Sequence, residues 1–226
     1  QVSALACALP WVRTLELHPV RVGADRVEIT GARVTIDTGL EAAALRYGHM
    51  AIHPYPVELV TDVALVDGAR LHVRPIRPED AALERDFVAA LSEKARYFRF
   101  FHRLNELTPA MLARFTQVDY DREMALVAVD EATGAAVIVG VARYITTPGG
   151  QSAEFAIVVA DAWQGRGVAR MLMGQLTACA KVRGLRRLEG AVLRGNAAML
   201  KFTRAFGFAV HDDPDDPDLV DVVLEL

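Results

Sequence analysis

The residue types with chemical potential crowd into one stretch of this chain, positions 154 to 170. Glu154 opens an apolar run that ends in Gln164-Gly165-Arg166-Gly167-Val168-Ala169-Arg170. The run reads as a strand, the glycines as a turn, and the residues after them as a helix. Gly165 and Gly167 permit backbone angles that side chains resist and let a ligand approach the main chain. A helix starting there presents free N–H groups and the positive end of its dipole, an anion site suited to a pyrophosphate. Arg166 and Arg170 add positive charge, and Glu154 upstream is a candidate for moving a proton. The same pattern also serves a plain strand–helix junction that needs small residues. It is not the dinucleotide motif G-x-G-x-x-G, and it lacks the Lys of a nucleotide P-loop.

The elements that must hold this stretch form a mixed α/β pattern. Leu71 to Ile76 reads as a strand, with Pro75 suggesting a sheet edge. Pro78 opens a helix whose Leu83, Phe87 and Leu91 share a face. Ser92 caps a second helix and Thr108-Pro109 opens a third. Met124 to Val129, Ala135 to Thr146, Ala153 to Ala160, Leu188 to Leu193 and Leu219 to Leu224 read as strands. A helix is expected from about Gln164 to Arg183. Another is capped by Asn196 and ended by Gly207. Nearer the start, Leu15 to Leu17 and Val27 to Ile36 read as short strands around a turn at Gly23-Ala24-Asp25. The run His53-Pro54-Tyr55-Pro56 reads as a connector.

Composition bounds the rest. The 226 residues are 52% hydrophobic and 24% charged, which is enough apolar surface for a core and excludes a disordered chain. A net charge of −4 argues against a chain built mainly for nucleic acid. No apolar run is long enough to suggest a membrane partner. Cys7 and Cys179 are too few for a disulfide framework or a zinc site, which makes a reducing cytoplasm the expectation. Of the histidines, only His49 and His53 sit at a metal-ligand spacing, and no third ligand accompanies them, so no metal is expected. Cys179 reads as core. The chain begins with Gln1, not Met, and is expected to be the C-terminal piece of something longer.

The turn resembles Q/R-x-x-G-x-G/A, the acyl-CoA pyrophosphate signature of the GNAT superfamily of N-acetyltransferases. Gln164, Gly167 and Ala169 hold its defining positions. Asn196 to Phe208 is similar to that superfamily's last helix and its Gly-Phe ending, and Arg74 to Asp80 to its first strand and helix. The resemblance implies a GNAT fold over residues 69–226: a central mixed, mostly antiparallel sheet flanked by helices. It implies acetyl-CoA as co-substrate, held by Val158, Val159, Gln164, Gly165, Arg166, Gly167, Val168, Ala169, Arg170 and Asn196. Asn196 also reads simply as a helix cap.

A narrower resemblance is carried by Leu91 to Phe101, Val118 to Met124 and Ala153 to Val158. These are similar to bacterial Pat-type protein lysine acetyltransferases. That implies Glu154 as general base and a protein lysine as acceptor, on an AMP-forming acyl-CoA synthetase. An amine with pKa near ~10 is mostly protonated at neutral pH, so a base must take its proton before attack on a thioester. A Glu set among apolar neighbours is expected to bind protons more tightly, which suits that task. The alternative is a strand-edge Glu facing solvent. Asp119 is the next candidate for the base. Thr203 stands where relatives carry an acid Tyr, and no general acid is assigned.

In Pat-type proteins the acetyltransferase follows a region similar to ADP-forming acyl-CoA synthetases. Residues 1–48 resemble the tail of such an ATP-grasp-like region, with 49–68 as linker. His18 and Gly31 stand at its two magnesium positions, and neither residue suits a hard cation. The competing functions are a small-amine acetyltransferase, a non-catalytic acyl-CoA sensor and a working ligase. The lost magnesium ligands count against the ligase, and Glu154 beside an intact turn counts against the sensor. Asp212 to Asp218 reads as a solvated acidic loop or a docking surface for a basic partner; Arg96 to Phe101 is a second candidate surface.

Overall fold

The computed structural model describes residues 2–37, 50 and 53–226. It divides into two compact units, residues 1–54 and 55–226. The division falls inside the His53–Pro56 run that the sequence marks as a connector.

The first unit contains a short helix, α1 (Val2–Ala8), and two small antiparallel pairs. Strand β1 (Val12–Leu17) pairs with β4 (Ala32–Ile36), and β2 (Val20–Val22) pairs with β3 (Val27–Ile29). The expected single strand from Val27 to Ile36 is thus broken at Thr30–Gly31. His18 and Gly31 become neighbours, with the His18 N–H donating to the Gly31 carbonyl at 3.0 Å. A Cβ at Gly31 would lie 2.4 Å from the His18 carbonyl oxygen, so this backbone admits only glycine there.

The second unit is built on an eight-stranded sheet. Its strands are β5 (Thr61–Ala64), β6 (Arg70–Pro75), β7 (Glu123–Asp130), β8 (Val137–Thr146), β9 (Ser152–Val159), β10 (Arg187–Leu193), β11 (Ala209–Asp212) and β12 (Leu219–Glu225). Their spatial order is β11-β12-β10-β9-β8-β7-β6-β5. Every neighbouring pair is antiparallel except β9 and β10, which are parallel. The mixed, mostly antiparallel sheet flanked by helices is the architecture the sequence implied. The expected linker is redrawn: its residues 55–68 belong to this unit and supply edge strand β5. Strand β6 is therefore not an edge. Pro75 is tolerated because β5 pairs only with Arg70 to Val73 and stops short of it.

Each face of the sheet carries its own core, because side chains alternate across a strand. On β7, Met124, Leu126 and Ala128 face one way and Ala125, Val127 and Val129 the other; all are buried. Helix α5 (Val168–Val182) covers the first face with Val168, Leu172, Met173, Leu176 and Ala180. It comes so close to β8 that a Cβ at Gly140 would meet Val168 and Leu172 at 3.1 Å. Helices α2 (Ala81–Ala90), α3 (Glu93–Phe100) and α4 (Pro109–Thr116) supply the second face, with Phe87, Val88 and Leu91 in its core. Helix α6 (Ala197–Phe206) lies between β10 and β11 in the chain. Helix α5 starts four residues later than expected, because Gly165 and Gly167 take φ of +75° and +92°.

Candidate active site

Strands β9 and β10 pair over only three rungs, Ser152 with Arg187, Ala153 with Leu188 and Glu154 with Glu189. Beyond these, β9 runs on to Val159 and β10 to Leu193 without pairing to each other. A parallel pair that parts in mid-sheet opens a cleft and leaves a strand edge with unused backbone donors and acceptors. A cleft of about 800 Å³ lies there, walled by the far half of β9, the turn after it, β10, α3 and α6. That is within the ~300–1,000 Å³ of small-molecule sites.

Glu154 stands at the last rung before the parting, exposed and lining the cleft. The enclosure by apolar neighbours expected of it is absent, because its neighbours in sequence point to the opposite face of the sheet. Val158 and Val159 line the same cleft further along β9. Gln164 comes next, and its side-chain amide donates to the Val159 carbonyl at 3.2 Å, fixing the turn against the strand end. Gly165 and Gly167 both line the cleft, and a Cβ on either would meet nothing within 4 Å. Their backbone is therefore approachable from open space, and their positive φ is what demands glycine. The first turn of α5 begins at Val168, with its N–H groups lacking intrahelical partners.

The remaining candidates divide. Ala169, Arg170 and Asn196 line the cleft. The Asn196 side-chain oxygen caps α6 by accepting from the Met199 N–H at 3.1 Å, which leaves its NH₂ donors for another use. Arg166 does not line the cleft. Its guanidinium pairs with Asp67 and stacks 3.9 Å from the Trp163 ring centre. The Val168 side chain is buried in the core beneath β8, so only its backbone N–H has a place in an anion site. Thr203 is fully buried, with its hydroxyl donating to the Leu200 carbonyl, and it takes no part in the cleft. Asp119 lies outside the cleft as well. Its carboxylate accepts from the backbone N–H groups of Asp121, Arg122 and Glu123 and closes a turn. Cys179 packs against the core, where burial pushes its thiol up to about 11. The acidic loop stays outside the cleft too, pinned by Arg194 through Asp212 and the Pro217 carbonyl. His49 lies outside the described residues.

Three features in and around the cleft go beyond the sequence reading, which gives Ser92 only as a helix cap and Arg96 to Phe101 only as a docking surface. Ser92 caps α3 by accepting from the Ala95 N–H, and it also donates its N–H and hydroxyl to Asp161 at 2.9 and 2.8 Å. This clasp joins α3 to the segment leading into the glycine turn. The Ser92 backbone and hydroxyl bonds hold the Asp161 carboxyl below its usual range. Phe98 and Arg99 of α3 form part of the cleft wall. Glu84 of α2 is buried, with one carboxylate oxygen unpartnered. Only the Ser92 cap had a local signature; contacts 69 residues apart have none.

A splayed β9/β10 pair, with an approachable glycine turn leading into a helix N-terminus, defines an acyl-CoA-dependent acetyltransferase fold. Residues 70–209 match the acetyltransferase (GNAT) domain family, and the chain belongs to it. Such enzymes use acetyl-CoA, and the cleft fits one. The turn and the α5 N-terminus suit the pyrophosphate, and the free β9 edge suits the amides of the pantetheine arm.

An acetyltransferase of Pseudomonas aeruginosa is 36% identical over 153 residues, covering 68% of this chain and 82% of that protein. Acetyltransferase Pat of Mycolicibacterium smegmatis is 31% identical over 157 residues, covering 69% of this chain and 44% of Pat. The chain thus spans less than half of that longer relative. The GNAT domain of S. lividans PAT superposes with a TM-score of 0.70 at 31% identity, covering 76% of this chain and all of that domain. Among the described residues, no helix is long and apolar enough to cross a membrane, and no group of three or more His, Cys, Asp or Glu is placed to hold a metal ion.

Proposed function

We propose that this chain transfers the acetyl group of acetyl-CoA to the ε-amine of a lysine on a protein, by direct attack, with Glu154 as general base. The observation that carries the reading is the placement of Glu154. Its carboxylate is exposed in the cleft at the point where β9 and β10 part, on the strand that leads into the glycine turn. A thioester whose pyrophosphate sits at the turn and whose arm runs along the β9 edge extends toward that carboxylate. Glu154 takes a proton from the incoming ammonium, directly or through water. The freed nitrogen attacks the thioester carbonyl, a C–N bond forms, and the C–S bond breaks. The departing thiol has a pKa of about 8.5, so water can protonate it and no side-chain acid is needed.

The likeness to Pat of M. smegmatis and to S. lividans PAT supports a protein acceptor. It favours the active-site lysine of an AMP-forming acyl-CoA synthetase. Val158, Val159, Gln164, Gly165, Gly167, Ala169, Arg170 and Asn196 hold the co-substrate in this reading, with the Val168 N–H. Arg166 acts through the turn, since Asp67 and Trp163 hold it outside the cleft. Residues 1–48 belong to a degenerate ATP-grasp-like region that binds no Mg-ATP. The deciding experiment is intact-mass spectrometry of such a synthetase incubated with this chain and acetyl-CoA. Rates on the isolated lysine peptide and on small amines are measured beside it. A single acetyl addition on the synthetase, faster than on the peptide, is expected. Comparable turnover of a small amine assigns the chain to small-molecule acetylation instead.

A further inference from the structure

We infer that a basic groove on the outer side of α3 docks an acidic segment of the protein acceptor. The acetylated lysine is then one with acidic residues about a helix diameter away, ~10–12 Å. The inference rests on the reading of a protein lysine as acceptor and names the surface chemistry that selects it.

Helix α3 lines two concavities, one on each side. Ala95, Phe98 and Arg99 face the catalytic cleft. Glu93, Arg96 and Tyr97 face a separate groove of about 410 Å³, completed by Arg103, Leu104 and Asn105 from the loop after the helix. Lys94 stands on the boundary and lines both. The loop is turned back by Phe101, whose φ of +61° is a left-handed conformation that a bulky side chain rarely adopts. The Phe101 N–H donates to the Tyr97 carbonyl at 2.8 Å, and His102 Nδ1 donates to the Phe100 carbonyl at 2.7 Å. Phe100 stacks on Phe115 of α4, and Leu104 packs against the second core. Both walls of the groove are therefore anchored to the fold.

The groove is positive on a chain that is not. Four of the ten residues from Lys94 to Arg103 are cationic and none is acidic. Lys94, Arg96 and Arg103 line the groove against one carboxylate, Glu93. Among the described residues none of the three has a carboxylate partner. The Arg96 guanidinium reaches only the Ala89 carbonyl, at 3.4 Å, and the Lys94 ammonium lies 5.6 Å over the Phe98 ring. Their charge is free to meet a partner. Tyr97 and Phe101 are exposed beside it, and aromatic and Arg side chains are those that protein interfaces concentrate. A local positive patch on a chain of net charge −4 orients a negative protein surface, while the net charge disfavours a nucleic acid. The side of α3 that faces away from the cleft thus reads the surroundings of the lysine that the other side admits.

The test is the salt dependence of kcat/KM on an AMP-forming acyl-CoA synthetase, for the wild type and for Arg96→Glu with Arg103→Glu, neither of which lines the cleft. At low salt the double variant loses ~10-fold or more, through KM, and most of that loss disappears at 1 M salt, where the screening length is ~3 Å. Its rate on a small amine and its KM for acetyl-CoA stay at wild-type values. Arg96→Gln with Arg103→Gln shows a smaller loss of the same sign, and an unchanged thermal shift with acetyl-CoA shows that each variant is folded. A peptide panel needs no variant. The wild type acetylates a lysine peptide with Asp or Glu ~3–6 positions from the lysine, the span of an extended chain across the helix, faster than its Ala counterpart. A salt-independent loss, a raised KM for acetyl-CoA, or an acidic peptide no better than the neutral one overturns the proposal. Competition by duplex DNA but not by the acidic peptide also overturns it and assigns the groove to nucleic acid. If the wild type acetylates only small amines, the reading of a protein acceptor falls; wild-type turnover of the synthetase left unmoved in the double variant sinks only this inference.

Discussion

Glu154 separates chemistry from binding at the level of single residues. Its carboxylate lines the cleft but does not belong to the glycine turn. Glu154→Gln is expected to lower kcat by ~100-fold or more, while the acetyl-CoA dissociation constant changes little. Steady-state rates and calorimetry check the two halves, and near-normal turnover at pH 7 moves the base elsewhere. Gly167 tests binding alone. Acetyl-CoA at a hundred times its dissociation constant stabilises a folded protein by ~2.7 kcal/mol, which a melting curve resolves. Gly167→Glu places a carboxylate at the anion site and is expected to abolish that stabilisation. Gly167→Ala carries the same backbone strain without the charge and is expected to retain part of it. An undiminished shift in folded Gly167→Glu sinks the assignment. Glu154, both glycines and Asn196 were legible because each sits in a local pattern of strand, turn or cap. The Ser92–Asp161 clasp was not, since it joins residues 69 positions apart on two elements.

One element, α3, connects the two halves of the site. Its N-terminus is clasped to Asp161 through Ser92, and its far end places Arg99 in the cleft. Ser92→Ala removes both a helix cap, worth ~1 kcal/mol, and the hydroxyl half of the clasp. It is expected to raise the KM of the protein acceptor more than that of acetyl-CoA. An equal rise in both would place the clasp in the cofactor site alone. Helix α2 is anchored differently. Arg74 of β6 makes two bonds to Asp80, at 2.6 and 2.7 Å, with both groups buried at the helix entry. Burial alone would raise the Asp80 carboxyl, but Arg74 and the Arg77 N–H outweigh it and hold it below the usual range. A lowered folded value stabilises above the unfolded pKa of ~3.9, and that contribution is lost as pH falls through the folded value. Asp80→Asn leaves Arg74 buried without its counter-charge and is expected to cost ~3–5 kcal/mol at pH 7. The gap should narrow progressively as pH falls below the unfolded pKa and through the lowered folded value, where the wild type loses the same pair; urea unfolding at pH 7 and along an acid series measures it, and a constant gap excludes the pair as its cause. Most elements were legible from periodicity and caps. Strands β5 and β11 were not, because four residues at a sheet edge show too little alternation, and β11 is hidden in the approach to the acidic loop.

At the scale of the whole molecule, the sequence carried the order of elements but not the place where the sheet opens. The parting of β9 and β10 is a property of register, three rungs and then none, and register is set by packing on both faces. Gly190 marks the spot only once the strands are paired: a Cβ there would meet the Phe155 ring and carbonyl at 3.2 Å. The division into units was half legible, since the proline run showed a boundary but not that β5 lies on its far side. Among the described residues, both hydrophobic cores draw on residues 59–226, and those lining the cleft lie between 92 and 205. The second unit, residues 55–226, thus holds both cores and the cleft lining among the described residues. That piece, expressed alone, is expected to unfold cooperatively and to gain the same thermal shift from acetyl-CoA as the full chain. It is also expected to keep the same kcat on a small amine, because the described residues that line the cleft are all retained. Rates on a protein acceptor are the informative contrast. If they too are unchanged, residues 1–54 take no part in acceptor docking. If only they fall, the first unit supplies remote contacts that position the lysine. A fragment that fails to fold, or that loses the acetyl-CoA shift, would show that the second unit depends on the first for its stability or its site.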